Sequence, residues 1–397
     1  MQRTLTLLAA LLAFSLGHAQ PLTVWTHFQD ESLGWLEAEV AAFSAAFGTE
    51  VELVYVPVNE IVQNMLLNAP EGQGPDLVAT IPHDQLGQLA EGGVLANMAQ
   101  YATEDYVADL TEQSRLAFTL NGQLFGLPMY VDGLALIVNR ALVSEGPETL
   151  EELLNTAQEL TTADTYGFLQ VQEADTFYHN YVWIRSMGGY VFGRDEAGNL
   201  NPSDIGLANE GTVQAAEFIR SLRYDYELIP PGVNYDIMHG QFLEEGAAMV
   251  VNGPWAIPDY LAAGINVDVM PLPPNEDGTT YAGFMGVQGV VMNEFSANKL
   301  EAANLAKWLI RADAQVGLAE AGGRIPASQG AAKQVADDPI ISGFAAALAD
   351  AEPMPNIPEM GAVWTPMQTA LALILENPDS DIAGILERAV SEIRGSE

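Results

Sequence analysis

The segment Asn252-Gly253-Pro254-Trp255 sets a tryptophan directly after an apolar strand and a Gly-Pro turn. A second tryptophan, Trp364, stands at an apparent helix start after the proline-rich run Glu352-Pro353-Met354-Pro355-Asn356-Ile357-Pro358. Phe177, Tyr178, Tyr181 and Trp183 form a third aromatic group. A pyranose ring has apolar C–H faces and a fringe of hydroxyls. It suits flat aromatic walls with carboxylates at the rim, because an ionised carboxylate accepts several hydroxyl hydrogen bonds and strengthens each one. Asp84, Asp132 and Asp30 are rim candidates. Asp132 interrupts an apolar run between Val131 and Gly133, where a carboxylate needs a cleft, a partner or a bend. Each residue also has a plainer use. Trp255 and Trp364 fit an ordinary core, the aromatic group fits one packing face of a helix, and Asp84 fits a helix cap. Asp76, after Gly74-Pro75, reads as a turn residue.

Other chemistries lack their residues. The histidines, His18, His27, His83, His179 and His239, are scattered without HExxH spacing, so nothing suggests a zinc hydrolase. There is no GxSxG elbow and no GxxxxGK[ST] phosphate loop. Gly188-Gly189 and Gly322-Gly323 read as turns. With 53 Asp and Glu residues, a glycosidase built on paired carboxylates stays open, as does a metal or oxyanion binder using the tyrosines.

The elements that must position these residues alternate. Leu22-Thr23-Val24-Trp25 begins a strand. Leu36, Val40, Phe43 and Phe47 share one helical face, which Gly48 ends. Val51 to Val56 is a strand, Ile61 to Leu66 a helix and Leu77 to Ala79 another strand. Leu134 to Val138, Ala247 to Val251 and Val287 to Met292 read as further strands. Leu150 to Leu160, Val213 to Leu222 and Leu300 to Ile310 read as helices, and the chain beyond Pro339 is mostly helical. This alternation predicts parallel sheets covered by helices. At roughly 100–200 residues per domain, 397 residues predict two domains.

Composition narrows the partners. The chain carries 14 Lys and Arg against 53 Asp and Glu, a formal charge of −39. That excludes nucleic acid and argues against anionic lipid, since both need clustered cations. The absence of cysteine excludes disulfides, thiolate metal sites, cysteine nucleophiles and a lipid-modified N-terminal cysteine. Residues 1–19 read as a secretory signal peptide. Arg3 precedes an apolar stretch from Leu5 to Leu16, and Gly17-His18-Ala19 supplies a cleavage site after Ala19. A soluble periplasmic protein without a membrane anchor is expected.

Taken in order, these motifs resemble the maltose/maltodextrin-binding proteins, the extracytoplasmic sugar-binding subunits of ABC importers. The resemblance runs through Leu22-Thr23-Val24-Trp25, Gly74-Pro75-Asp76, His83-Asp84, Pro128 to Leu142 and Gly188-Gly189-Tyr190. It continues through Val251-Asn252-Gly253-Pro254-Trp255-Ala256 and Met354-Pro355-Asn356-Ile357-Pro358-Glu359-Met360 to Trp364. It implies an α/β, two-lobe periplasmic-binding-protein fold with hinge strands between the lobes. One lobe would comprise residues 21–131 and 290–335, the other 135–285 and 340–397. An oligosaccharide would bind in the cleft, and the chain, expected to be a monomer without cofactor, metal or catalysis, would deliver it to a membrane permease.

The resemblance also assigns roles. Trp255, Trp364 and the Tyr178–Tyr181 region would stack on sugar rings, Tyr235 would add another aromatic contact, and Met354 belongs to the matching proline-rich run. Asp84 and Asp132 match carboxylates that bind hydroxyls, the family favouring Glu at the second. Gln29-Asp30 stands where some relatives carry Asp-Lys. Thr80-Ile81-Pro82 replaces a tryptophan, Gln85 an arginine, and Thr365 and Gln368 a tyrosine and an arginine. Glu173 or Asp175 could match a further carboxylate.

Overall fold

The computed structural model describes residues 21–173, 176–275 and 278–395; the expected signal peptide lies outside them. The chain forms two lobes, each built on its own sheet. The first sheet has seven strands. Its main path runs Ile325–Pro326, Gly126–Gly133, Phe284–Met292, Leu77–Pro82, Leu22–Thr26, Val51–Tyr55. Glu352–Pro353 adds to the start of Phe284–Met292. The second sheet runs Met249–Asn252, Ala135–Asn139, Val267–Met270.

The sheets are not parallel throughout, contrary to the expectation from alternation. Leu22–Thr26 lies parallel to Val51–Tyr55 and to Leu77–Pro82, but Phe284–Met292 returns antiparallel between Leu77–Pro82 and Gly126–Gly133. Both neighbours of Ala135–Asn139 are antiparallel to it. A strand buried on both faces is apolar throughout whichever way its neighbours run, so hydrophobicity alone does not give direction.

The first sheet separates two cores by the two-residue period of its strands. Leu22, Val24, Leu77 and Ala79 face one side with Leu36, Val40 and Phe43 of the helix Asp30–Phe47. Trp25 and Val78 face the other, with Ile61 and Met65, and Ile81 joins them across a register shift in the pairing with Phe284–Met292. Gly48 closes the first helix in the left-handed region at φ 71°, its N–H donating to the Ser44 carbonyl. Phe47 keeps to this face, its ring 4.8 Å from that of Phe43 between centres, but at the helix end it is exposed and meets Trp308 edge-on.

The second lobe has a single larger core, in which Leu136, Ile137, Val250 and Val251 meet helices from distant parts of the chain. Leu150–Leu160 is helical as expected, with the Thr149 hydroxyl accepting the Glu152 N–H at its start. The C-terminal helices Pro339–Ala347, Trp364–Glu376 and Ile382–Gly395 all pack into this core. The lobes are joined where Gly126–Gly133 passes through Leu134 into Ala135–Asn139, and where Phe284–Met292 leaves the second lobe for the first sheet.

Candidate functional site

Between the lobes lies a cavity of about 1100 Å³. Strand register builds its first-lobe wall. Asp132, next to the end of Gly126–Gly133, pairs with Gly286 on one side; on the other, the pairing of Ile325 with Val131 brings Arg324 alongside. A Cβ at position 286 would strike the Asp132 carboxylate, so the glycine leaves room for it. One step along, Gln288 pairs with both Tyr130 and Pro82. Asp84 follows Pro82 in the short turn His83–Gln85, so it stands at the carboxyl end of its strand, where α/β folds place ligands.

His83 fixes that turn. Its Nδ1 accepts the Val287 N–H at 3.1 Å and its Nε2–H donates to the Met354 carbonyl at 2.8 Å. Burial lowers its pKa to about 4, so it stays neutral and serves as a clamp between the turn, the crossing strand and the proline-rich run. On the far side of that run, Asn356 Nδ2 donates to the carbonyls of Ala117 and Thr119.

The second-lobe wall is aromatic. After the strand Met249–Asn252, Gly253 and Pro254 turn the chain so that the Trp255 indole folds back over Gly253, where a Cβ would meet the ring. Tyr178 lies 6.4 Å from Trp255 between ring centres. Trp364 opens the helix Trp364–Glu376 and packs edge-on against Phe177 at 5.7 Å, leaving part of its ring on the cavity. The Tyr235 hydroxyl takes hydrogen bonds from Asn252 and Trp255; burial outweighs them and pushes its pKa up to about 12.

The electrostatics are unusual for two nearby carboxylates. Burial pushes Asp84 up to about 7, and the charge of Asp132 adds to the shift, against opposing hydrogen bonds from backbone and Trp364. Burial also raises Asp132, while Arg324 pulls it back down. Arg324 is only 8% exposed, and its Nε has no protein partner. Its guanidinium lies 5.3 Å from the ring centre of Tyr130 in its own lobe and 6.0 Å from that of Trp255 in the other. Gln85 Oε1 and His179 Nδ1 are likewise buried without partners on the cavity wall.

Asp84, Asp132, Tyr178, Tyr235, Trp255 and Trp364 therefore line one cavity. Gln29, Asp30 and Met354 line it too, near Gln85, Thr365 and Gln368, the positions where amides and a hydroxyl stand for charged or aromatic groups of the resemblance. Gln29 Nε2 donates to the Tyr55 hydroxyl at 2.8 Å, and Asp30 starts its helix at φ 50°, a strained conformation for a non-glycine residue.

Tyr181 departs from the expectation. It is 1% exposed in the core, its ring parallel to Phe284 at 3.5 Å and its hydroxyl donating to Glu352. Phe177 and Trp183 are buried as well. The helix Thr176–Ser186 explains the split: Phe177, Tyr181 and Ile184 share the i, i+4, i+7 face against the core, and Tyr178 sits beside it. Glu173 is exposed and off the cavity, and Asp175 lies outside the described residues. Asp76 orders its turn, accepting the Thr23 N–H and the Ser296 hydroxyl. Among the described residues, no three acidic or histidine side chains converge to hold a metal ion.

Sequence reading missed Arg324. Its only local signal is the Gly322-Gly323 turn before it; its importance comes from a strand partner almost two hundred residues away.

A family model described as bacterial extracellular solute-binding protein matches residues 38–343. The chain is 42% identical to the Thermus thermophilus maltotriose binding protein, whose structure holds maltotriose; the match has a TM-score of 0.91 and covers 94% of this chain and 99% of that one. It is 32% identical to the galactooligosaccharide-binding protein of Bacillus subtilis (strain 168), over 94% of this chain and 89% of that protein. It is 29% identical to the maltotriose-binding protein of Pyrococcus abyssi (strain GE5 / Orsay), over 94% and 81%.

Proposed function

The chain belongs to the bacterial extracellular solute-binding proteins, and on that premise we propose that it binds malto-oligosaccharides between its lobes and hands them to an ABC transporter permease. The observation that carries this reading is the pairing of aromatic walls with unpartnered buried polar atoms in one cleft. Trp255 and Trp364 offer faces to apolar C–H surfaces. Asp84 and Asp132 offer acceptors, and the guanidinium of Arg324 a donor group, on the same cavity wall that a ring of hydroxyls would meet. Glucose-based chains are favoured over galactose-based ones by the stronger likeness to the maltotriose-binding relative.

The first lobe comprises residues 21–131 and 290–335, the second 135–285 and 340–397, and closure over sugar brings the two walls together. The protein acts outside the cytoplasmic membrane, in the periplasm, after cleavage following Ala19. It works as a monomer and leaves its sugar intact. Among the described residues no helix is long and apolar enough to cross a membrane.

Calorimetry against maltose, maltotriose, trehalose, sucrose and a galactooligosaccharide tests the reading, with the recovered sugar checked by chromatography. Saturable binding strongest for a malto-oligosaccharide, recovered uncut, is expected. Preference for the galactooligosaccharide would overturn the ligand assignment. Sustained release of shorter sugars would identify a glycosidase instead.

A further inference from the structure

The sequence holds two Asn-Gly pairs, Asn121-Gly122 and Asn252-Gly253, and the fold treats them oppositely. In such a pair the asparagine amide is open to attack by the next backbone nitrogen, because glycine has no side chain to block the approach and a backbone free enough to reach it. Asn252 is fully buried. Its Nδ2 donates to the Tyr260 hydroxyl at 2.9 Å, and its Oδ1 accepts the Gly253 N–H at 2.8 Å. Amide and attacking nitrogen are both engaged there.

Asn121 and Gly122 instead form the tip of a short hairpin between Thr119–Leu120 and Gln123–Leu124, with Leu120 paired to Gln123. Their φ values of 50° and 74° are those of the primed two-residue turns that suit hairpin twist. Both residues are exposed, and among the described residues the Asn121 amide has no hydrogen-bond partner. A Cβ at Gly122 would meet nothing within 4 Å, so the approach to its nitrogen is open.

This hairpin also holds something. Asn356 of the proline-rich run donates through Nδ2 to the carbonyls of Ala117 at 3.0 Å and Thr119 at 3.1 Å. The Phe125 N–H closes the base of the hairpin on the Phe118 carbonyl at 3.0 Å. With two residues in each strand, the turn is the main device that keeps the Thr119 carbonyl in place.

We propose that Asn121 is a site of spontaneous deamidation, and that its isoaspartate product releases the proline-rich run from this hairpin. The Gly122 nitrogen gives its proton to solvent base and attacks Asn121 Cγ. The new N–Cγ bond closes a cyclic imide, the Cγ–Nδ2 bond breaks, and Nδ2 leaves as ammonia with a proton from water. Water then opens the imide at either carbonyl, giving aspartate or isoaspartate, and no atom is oxidised or reduced. Isoaspartate carries the main chain through Cγ, adding a carbon to a turn whose two residues fit the strand spacing. The Leu120–Gln123 pairing then fails, and the Thr119 carbonyl leaves Asn356.

The experiment ages the purified protein at mildly alkaline pH, in native buffer and in urea, with peptide mass mapping and enzymatic labelling of isoaspartate. In native buffer, Asn121 should lose its amide and Asn252 should keep it. In urea both should lose it, because only the fold protects Asn252. Asn121→Gly keeps a residue suited to positive φ and removes the amide, so it should yield no isoaspartate in this hairpin. Hydrogen exchange over residues 116–125 and 352–358 should quicken in aged wild type and stay unchanged in aged Asn121→Gly. An intact Asn121, or equal loss at both pairs in native buffer, would overturn the inference. So would isoaspartate at 121 with exchange unchanged in both segments.

Discussion

At the residue scale, stacking and packing give different signatures at the two tryptophans. Both are half-buried against the second-lobe core, but Trp255 folds over its own turn, whereas Trp364 packs on the rings of Phe177 and Phe284. Trp255→Ala should weaken maltotriose binding by about 2 kcal/mol or more with little change in unfolding midpoint. Trp364→Ala should lower both, since it also removes core contacts. Paired urea unfolding and calorimetry separate the cases; a large loss of stability for Trp255→Ala with unchanged affinity would return that residue to the core. These tryptophans were legible in the sequence because each follows a strong punctuation of glycine or proline. Arg324 was not, because its partners meet it only through strand register, and the burial of Tyr181 was not, because a run of aromatics does not by itself say which face of its helix is buried.

Asp84 gives a pH signature. Its native pKa near 7 lies above the value near 4 expected in an unfolded chain, so the native state binds the extra proton between those values. Its contribution therefore makes stability fall as pH rises from about 4 to about 7. His27, His83 and His179, each lowered to about 4 mainly by burial, act oppositely, making stability rise between about pH 4 and 6.5. Asp84→Asn removes the first trend and keeps the second. Without sugar, the variant should match the wild type near pH 4 and exceed it above pH 7, by at most on the order of 4 kcal/mol. Urea unfolding across this range checks it; a pH-independent difference would show that Asp84 is not a buried titrating group.

At the element scale, the site depends on strands that approach without side chains between them. Gly286→Ala places a methyl group against the Asp132 carboxylate, in the strand that joins the lobes. The expected outcome is a fold retained at a stability loss of about 1–3 kcal/mol, with maltotriose affinity reduced because Asp132 is displaced. Circular dichroism melts and calorimetry on the same sample check both; unchanged affinity would mean that Asp132 has room to spare. Helices such as Leu150–Leu160 were legible because their apolar period and cap agree. The return of Phe284–Met292 between Leu77–Pro82 and Gly126–Gly133 was not, because nothing in a uniformly apolar strand specifies the direction of its neighbours.

At the scale of the whole molecule, two lobes with cores of their own and a shared cleft allow sugar to act on the angle between lobes. A ligand that touches both walls binds the closed arrangement more tightly and shifts the population toward it. Small-angle scattering should give a smaller radius of gyration with saturating maltotriose than without it, and an unchanged profile would argue against closure. The large negative charge belongs to this scale as well: with 53 acidic residues against 14 basic ones it keeps molecules apart, and it says nothing about which sugar they hold.

The central claim is that one oligosaccharide bridges the two walls, and a crystal structure grown with maltotriose tests it most directly. The expected result is one sugar ring against Trp255, another against Trp364, and hydroxyls within hydrogen-bond distance of Asp84, Asp132 and Arg324. Sugar bound elsewhere on the surface, or a cleft without sugar at a concentration that saturates binding in solution, would contradict it.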